Sequence, residues 1–130
     1  MRVAILGASG FIGSRTVEKF HLGRRFEVRA IVRSTARLAG AARFGIEGRV
    51  ADAFDRAAIA ATLAGCDVVI HAIAGDHRTI VETAEVTYRA AAEAGVKRMI
   101  YLSSASVHGP IGPEHHRAEG WYRHTGRRRA

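Results

Sequence analysis

Residues 2–13 read RVAILGASGFIG, and this stretch decides the fold. The apolar, β-branched run Arg2–Leu6 is typical of a buried strand, and the apolar spacing over Phe11–Leu22 is typical of a helix. Glycines form the turn between them, at the spacing G-x-x-G-x-x-G. A strand, a glycine turn and a helix in this order are the context in which the pattern predicts dinucleotide binding. An ordinary turn between a strand and a helix is the alternative interpretation.

Each glycine of this turn has an expected role. Gly7 allows a sharp turn, Gly10 lets the backbone approach a pyrophosphate, and Gly13 lets the helix pack close to the strand. The free N–H groups at the start of the helix then face the phosphates, and the helix dipole adds to the attraction. The residues between the glycines are expected to line the same site: Ser9, Phe11 and Ile12.

The remainder of the first hundred residues alternates strands and helices. Further strands are predicted at residues 26–32, 48–51, 68–73 and 98–102. The helices between them include a short one capped by Ser34, one capped by Asp55 and closed by Gly65, and a long one over residues 79–94 closed by Gly95. Such units in series predict a doubly wound α/β fold, a parallel sheet with right-handed crossovers. We expect the strand order 3-2-1-4-5, with a ligand at the carboxyl ends of strands 1 and 4.

The glycine spacing resembles the extended short-chain dehydrogenase/reductase superfamily, and within it the NAD-dependent epimerase/dehydratase family. Three further stretches carry the resemblance: VRAIVR at residues 28–33, DVVIHAIAG at 67–75 and AGVKRMIYLSSASVHG at 94–109. They follow the family's order, whereas the last twenty residues do not match. The resemblance implies a Rossmann-like NAD(P)-binding domain over residues 1–109, followed by an irregular basic tail over residues 110–130.

The end of strand 2 bears on the choice of cofactor. Arg33 stands twenty residues after Gly13, where an acidic residue would hold the adenosine ribose of NAD, and Ser34 follows it. A guanidinium there suits a 2′-phosphate through charge-assisted hydrogen bonds. The sequence therefore favours NADP, with NAD as the alternative. A solvated arginine at a strand end is the simpler interpretation.

Two further strand ends take roles from the resemblance. Asp52, followed by Ala53, would accept a hydrogen bond from the adenine amino group, or it merely starts the next turn. Small residues at the end of strand 4 would pass beneath the cofactor: Ala72, Ile73 and Ala74. A crowded core explains the alanines equally well. His71 lies in an apolar run and is expected to be a satisfied core histidine rather than a base.

Strand 5 ends in Ser103 and Ser104, and the resemblance assigns the binding of a substrate oxygen to Ser104, with Ser103 beside the cofactor. Satisfaction of backbone groups at a strand end is the alternative. The family's catalytic Tyr-x-x-x-Lys is missing, since Gly126 stands four residues after Tyr122 and no Lys follows Lys97. We therefore expect NAD(P) binding with incomplete catalytic machinery, for a carbonyl or sugar-nucleotide substrate. A non-catalytic dinucleotide sensor or interaction module is the alternative.

Length and composition limit the class of protein. The chain has 130 residues, enough for one domain with a real core, and its hydrophobic fraction of 48% argues against a disordered main body. No apolar run is long enough to span a membrane. Because the chain begins at once with a core strand, no signal peptide is expected. The single cysteine, Cys66, is expected to be a small buried residue, which agrees with a cytoplasmic location.

The formal net charge is +8, and arginines crowd the C-terminus at positions 123, 127, 128 and 129. Such an excess of positive charge can indicate affinity for nucleic acid or for a membrane surface. No series of stacking aromatics or groove-reading helix accompanies these arginines. A solvated tail is therefore the favoured interpretation, and binding of nucleic acid is not expected.

Residues 110–130 show no strand or helix periodicity. Four histidines invite a metal interpretation: His108, His115, His116 and His124. Their spacing is not His-Glu-x-x-His and no cysteine accompanies them, so no metal site is expected. The family's later strands are missing, which leads to the hypothesis of a truncated chain, with a shifted reading frame as one cause. An exposed sheet edge and self-association would follow.

Overall fold

Five short strands form one parallel sheet in residues 1–103, the part of the chain that the structure, a computed structural model, describes. The strands are β1 Arg2–Leu6, β2 Glu27–Val32, β3 Glu47–Val50, β4 Val68–His71 and β5 Arg98–Tyr101. Their order is β3-β2-β1-β4-β5, and every neighbouring pair is parallel. The predicted doubly wound fold and strand order are confirmed. The expected domain boundary at residue 109 lies outside the described residues.

The helices lie between the strands: α1 Phe11–Leu22, α2 Ala39–Ala42, α3 Arg56–Leu63 and α4 His77–Glu93. The expected cap at Asp55 is confirmed, since its carboxylate accepts a hydrogen bond from the Ala58 N–H at 3.0 Å. The expected cap at Ser34 is wrong, because its hydroxyl makes no cap hydrogen bond. Instead, the Ser34 carbonyl accepts from the Arg37 N–H at 3.0 Å, which begins a 3-10 turn over Thr35–Leu38.

The predicted boundaries mostly differ from the structure by one residue, and the two larger differences, of two residues each, have local reasons. Strand β4 ends at His71 rather than at residue 73, because its neighbour β1 ends at Leu6. The last hydrogen bond between the two strands runs from the Ala72 N–H to the Leu6 carbonyl, at 3.0 Å. Helix α4 begins at His77 rather than Thr79, because the Asp76 carboxylate accepts from the Thr79 N–H at 2.7 Å and caps the first turn.

The core lies on both faces of the sheet. One apolar cluster packs Leu6 and Val69 against Ile59 and Leu63 of α3, with alanines of α4 beside them. The other packs strand side chains of the opposite face against α1 and α2, with Val17 and Ala41 as its buried helix residues. Nearly every residue of β1 and β4 is therefore buried, as expected for strands covered on both faces.

A buried cation joins β2, β3 and α3. Arg29 of β2 is 6% exposed, and its Nε donates to Glu47 of β3 at 3.0 Å. Its Nη1 donates to the carbonyl oxygens of Thr62 and Ala64, both at 2.8 Å, at the C-terminal end of α3. The hydrogen bond from Arg29 lowers the pKa of Glu47. These bonds hold α3 against the sheet, so that its N-terminal end lies at the carboxyl edge of the strands. Cys66, beside this arginine, is buried as expected.

Candidate cofactor-binding site

A cavity of about 570 Å³ lies at the carboxyl edge of the sheet. The segments that follow β1, β2, β3 and β4 all line it, as the topology of a doubly wound sheet requires. The cavity brings together eleven residues that the sequence assigns to the site: Gly7, Ser9, Gly10, Phe11, Ile12, Arg33, Asp52, Ala53, Ala72, Ile73 and Ala74. Of the other assigned residues, Gly13, Ser34 and Ser103 do not line the cavity, and Ser104 lies outside the described residues.

Backbone contacts shape the glycine turn. Gly7 has a φ of +74°, and a Cβ at this position would lie 2.7 Å from the carbonyl oxygen of Ala72. A Cβ on Gly13 would lie 2.7 Å from the carbonyl carbon of Gly7, so α1 approaches the turn at a distance that only glycine permits. The expected sharp turn at Gly7 and close packing at Gly13 are confirmed.

Gly10 leaves open space where a side chain would otherwise lie. It precedes the first residue of α1, its N–H donates to the Gly7 carbonyl at 2.9 Å, and its carbonyl accepts from Ser14 at 2.9 Å. A Cβ on Gly10 would meet only the Gly7 oxygen, at 3.2 Å. The start of α1 borders the cavity here, with the exposed side chains of Phe11 and Ile12 beside it. Such a helix start attracts an anion through its N–H groups and dipole.

The end of β2 brings positive charge to the cavity. Arg33 and Arg37 both line it, and both are exposed. Within residues 1–103, neither forms an ion pair with a carboxylate. The two guanidinium groups are therefore available to an anionic ligand.

Asp52 serves the local turn and also borders the cavity. One of its carboxylate oxygens accepts a hydrogen bond from the Phe54 N–H at 3.0 Å, which confirms the turn interpretation. Because that bond uses one of the two carboxylate oxygens, Asp52 can also accept a hydrogen bond from a ligand amino group. Ala53 and Phe54 line the cavity next to Asp52.

His71 supports the opposite wall of the cavity from inside the core. It is fully buried, and its Nε2 lies 3.1 Å from the hydroxyl oxygen of Thr83. The Thr83 hydroxyl donates to the Thr79 carbonyl at 2.6 Å, so it accepts from His71 and the ring proton is assigned to Nε2. Burial lowers the pKa of His71. The expected core position of His71 is confirmed. Only one of its two ring nitrogens is hydrogen-bonded, however, since Nδ1 has no partner among residues 1–103.

Several cavity residues are not singled out by sequence patterns: Arg37, Phe54, Thr79 and Thr83. Arg37 carries a weak signal, since it is a cation four residues after Arg33 in the segment that follows a strand. Thr79 and Thr83 are one helical turn apart, but threonine in a helix carries no binding signature of its own. Their place at the cavity comes from the packing of α4 on the sheet.

The described part of the chain contains neither a candidate metal site nor a candidate membrane-spanning helix. In residues 1–103, no three side chains of His, Cys, Asp or Glu form a group that could hold a metal ion. None of the helices in that range combines the length and the apolar character needed to cross a bilayer.

Comparisons with known proteins agree with this geometry. Residues 7–127 match the model of a family described as NAD(P)H-binding. An uncharacterized sugar epimerase of Bacillus subtilis (strain 168) is 32% identical over 117 residues, which cover 83% of this chain and 55% of that protein. A 4-hydroxy-2-methyl-3-oxo-4-farnesyl-3,4-dihydroquinoline-1-oxide ketoreductase of Stigmatella aurantiaca is 29% identical over 116 residues, covering 82% of this chain and 34% of that protein.

A solved structure extends the likeness to three dimensions. The NADPH complex of an NADPH-dependent quinone oxidoreductase from Escherichia coli matches with a TM-score of 0.73 at 29% identity, covering 95% of this chain and 45% of that one. The chain spans about a third to a half of the length of the curated relatives it matches. The resemblance to epimerases and reductases is confirmed. The chain belongs to the NAD(P)H-binding family and has its Rossmann-like fold.

Proposed function

We propose that the cavity at the carboxyl edge binds NADP(H) in preference to NAD(H), as the cofactor-binding part of a reductase or epimerase. The observation that carries cofactor binding is the glycine turn at the start of α1, and the exposed Arg33 beside the cavity supports the preference for NADP(H). At that turn, Gly10, which has no side chain, and the first N–H groups of α1 border the cavity of about 570 Å³. Charge-assisted hydrogen bonds from such N–H groups suit a diphosphate.

Each part of the cofactor has a proposed contact. The diphosphate lies over the glycine turn, residues 7–13, and the adenosine ribose with its 2′-phosphate lies beside Arg33 and Ser34. Adenine lies near Asp52 and Ala53. The nicotinamide half follows the segment after β4, and these residues are assigned to it: Ala72, Ile73, Ala74 and Ser103. Small side chains in that segment leave room for a ribose.

The proposed substrate is a small carbonyl compound or a sugar nucleotide. The relatives are a sugar epimerase, a ketoreductase and a quinone oxidoreductase by name. Ser104, three residues after the last residue of β5 in the sequence, is the proposed donor of a hydrogen bond to the substrate oxygen. Its hydroxyl orients a carbonyl but does not by itself transfer a proton at neutral pH.

The 130-residue chain is proposed to lack turnover by itself. No lysine follows Lys97, so Tyr122 has no partner of the kind that lowers a tyrosine pKa in the family. Oxidation of NADPH with an aldehyde or sugar nucleotide, lost in both Ser104→Ala and Tyr122→Phe, would contradict this proposal.

We also propose a cytoplasmic location and weak self-association through β5. This strand lies at the edge of the described sheet, and Ile100 is 44% exposed on it. Exposed apolar edges favour pairing between copies. Light scattering over a range of concentrations should show a mass that rises with concentration, and a constant monomer mass in Ile100→Lys. A constant monomer mass in the wild type would contradict self-association.

Binding of the cofactor is tested by calorimetric titration with NADPH and NADH. In Gly10→Val, the side chain occupies the space of the diphosphate, and we expect loss of measurable affinity for both cofactors with the fold retained. The matched control is Ala61→Val on the exposed side of α3, which should bind both as the wild type does. Unchanged affinity in Gly10→Val would contradict the assignment of residues 7–13.

A further inference from the structure

The edge of the sheet opposite the cofactor cavity carries an excess of positive charge. Because all five strands are parallel, their first residues meet at this edge, which we call the amino edge. Helix α1 runs back from the cavity and ends there at Leu22. Three exposed arginines lie at the amino edge: Arg24 and Arg25 shortly before β2, and Arg98 as the first residue of β5. Cations from two segments that are distant in sequence are therefore gathered on one surface.

The carboxylates of the amino edge are paired, whereas its three exposed arginines are not. Glu27 accepts a hydrogen bond from Arg2 at 2.8 Å, and Asp67 accepts one from Lys97 at 2.9 Å. Within residues 1–103, none of the three arginines forms an ion pair with a carboxylate. The amino edge thus presents positive charge that the described part of the chain does not compensate.

The backbone at Arg24 favours glycine rather than arginine. Arg24 has a φ of +49°, and in residues 1–103 every other positive φ belongs to a glycine. Its N–H donates to the His21 carbonyl at 3.1 Å, directly after α1. Glycine is the usual residue in this left-handed conformation at a helix end. Local geometry therefore does not account for an arginine here, whereas contact of its side chain with an anionic partner does.

Two large aliphatic side chains are exposed beside these cations. Leu22 is 63% exposed and Met1 is 61% exposed. Met1 lies next to the start of β2, because its carbonyl accepts from the Glu27 N–H at 3.1 Å. The neighbouring rings of Phe20 and Phe26 are half-buried and pack on each other, with centroids 5.3 Å apart. This surface therefore combines cations with exposed aliphatic groups, and its described aromatic rings are engaged with one another.

Cations around aliphatic side chains suit a membrane surface whose lipids carry negative charge. We propose that the amino edge is a docking surface for an anionic lipid bilayer, which the protein contacts peripherally through Arg24, Arg25 and Leu22. The guanidinium groups meet the lipid headgroups, and Leu22 enters the boundary between headgroups and acyl chains. Single-stranded nucleic acid fits this surface less well, because its bases stack on exposed rings. In this orientation the cofactor cavity, at the opposite edge, faces the aqueous phase.

The test is co-sedimentation of the full chain with vesicles of phosphatidylcholine alone and of phosphatidylcholine mixed equally with phosphatidylglycerol. We expect binding to the mixed vesicles only, and weaker binding at high salt because exposed charges are screened. An arginine near an anionic surface contributes about 1 kcal/mol, so Arg24→Gly should lower vesicle affinity about fivefold. Adding Arg25→Gln should bring the loss to about 25-fold. Because glycine accepts the left-handed backbone, Arg24→Gly should retain or raise the free energy of unfolding, which separates lost docking from lost folding.

Arg33→Gln with Arg37→Gln is the matched control, because it also removes two positive charges, but at the opposite edge of the sheet. Strands of this length separate the two edges by roughly 13–20 Å, more than the Debye length of about 10 Å at 0.1 M salt. This control should change vesicle affinity less than about twofold. At unchanged charge, Leu22→Ser should weaken vesicle binding, whereas Val81→Ser, at an exposed position of α4, should not.

Three outcomes would overturn the proposal. The first is no binding of the wild type to the mixed vesicles, together with binding of a single-stranded oligonucleotide or without it. The second is equal loss in the two double variants, which would show attraction by net charge alone. The third is unchanged vesicle affinity in Arg24→Gly, which would place the contact elsewhere in the chain.

Discussion

The glycine turn, residues 7–13, and the arginine turn, residues 33–38, border the same cavity but are held by different interactions. The glycine turn contains no charged residue, and its path is set by backbone contacts of Gly7 with Ala72 and of Gly13 with Gly7. The arginine turn is anchored by one partly buried leucine and one backbone hydrogen bond, and its two guanidinium groups are exposed. Close steric contacts set the path of the glycine turn, whereas the arginine turn is distinguished by its exposed positive charge.

This difference separates two tasks in recognition of a dinucleotide. NAD and NADP share their diphosphate, and a turn defined by close backbone contacts suits the part that does not vary. The two cofactors differ by one phosphate group, and exposed cations on a separate turn can distinguish them without altering the fold. Substitutions in the glycine turn should therefore affect folding or all binding, whereas substitutions in the arginine turn should affect cofactor preference.

The largest expected effect is on stability, at Gly13. Although alanine is the better helix former, Gly13→Ala places a Cβ against the Gly7 carbonyl and should lower the free energy of unfolding by about 3 kcal/mol. Gly40→Ala is the matched control, since Gly40 also lies in a helix and a Cβ there meets nothing within 4 Å. It should be neutral or stabilising by up to about 1 kcal/mol. Urea unfolding measures both, and equal stabilities of the two variants would refute the steric account of the glycine turn.

The next effect is on cofactor preference, at Arg33. Arg33→Ala should weaken NADP(H) binding by roughly 1–3 kcal/mol and leave NAD(H) binding nearly unchanged, with no loss of stability because the side chain is exposed. Raising the salt concentration should reduce NADPH affinity more than NADH affinity in the wild type, and less so in the variant. Titration calorimetry at two salt concentrations provides the measurement. Equal losses for both cofactors would show that Arg33 is only solvated.

The smallest expected effect is on acid stability, through His71 beneath the glycine turn. Gly7 packs against Ala72, which directly follows His71. Burial lowers the pKa of His71 in the folded protein, so below about pH 6.5 the unfolded chain binds the proton more readily. The free energy of unfolding should therefore fall as the pH decreases below 6.5, by at most about 1.4 kcal/mol per pH unit from this group.

His71→Leu should remove this part of the pH dependence, because the Thr83 hydroxyl keeps its hydrogen bond to Thr79. His77→Gln, at the exposed first residue of α4, should retain it. Urea unfolding between pH 5 and 7.5 measures the slope. An unchanged slope in His71→Leu would exclude His71 as its source.

Local sequence patterns predicted the fold because each depends on a few neighbouring residues. The run before Gly7, the glycine spacing and the cap at Asp55 all act over less than two helical turns, and the structure contains each of them. The alternation of these units also predicted the strand order. The same reasoning failed at Ser34, where a backbone hydrogen bond to Arg37 replaced the expected side-chain cap.

Tertiary packing decided which side chains share the cavity and which charges remain available there. Arg37 lines the cavity from a turn in which the partly buried Leu38 packs against the apolar cluster, and Thr83 borders the cavity where α4 packs on the sheet. Arg29 holds α3 through carbonyls more than thirty residues away in sequence. Such contacts join elements that are distant along the chain, so no local pattern encodes them. The sequence alone therefore determined the sheet and the glycine turn, and only the packed structure distinguished engaged arginines from available ones.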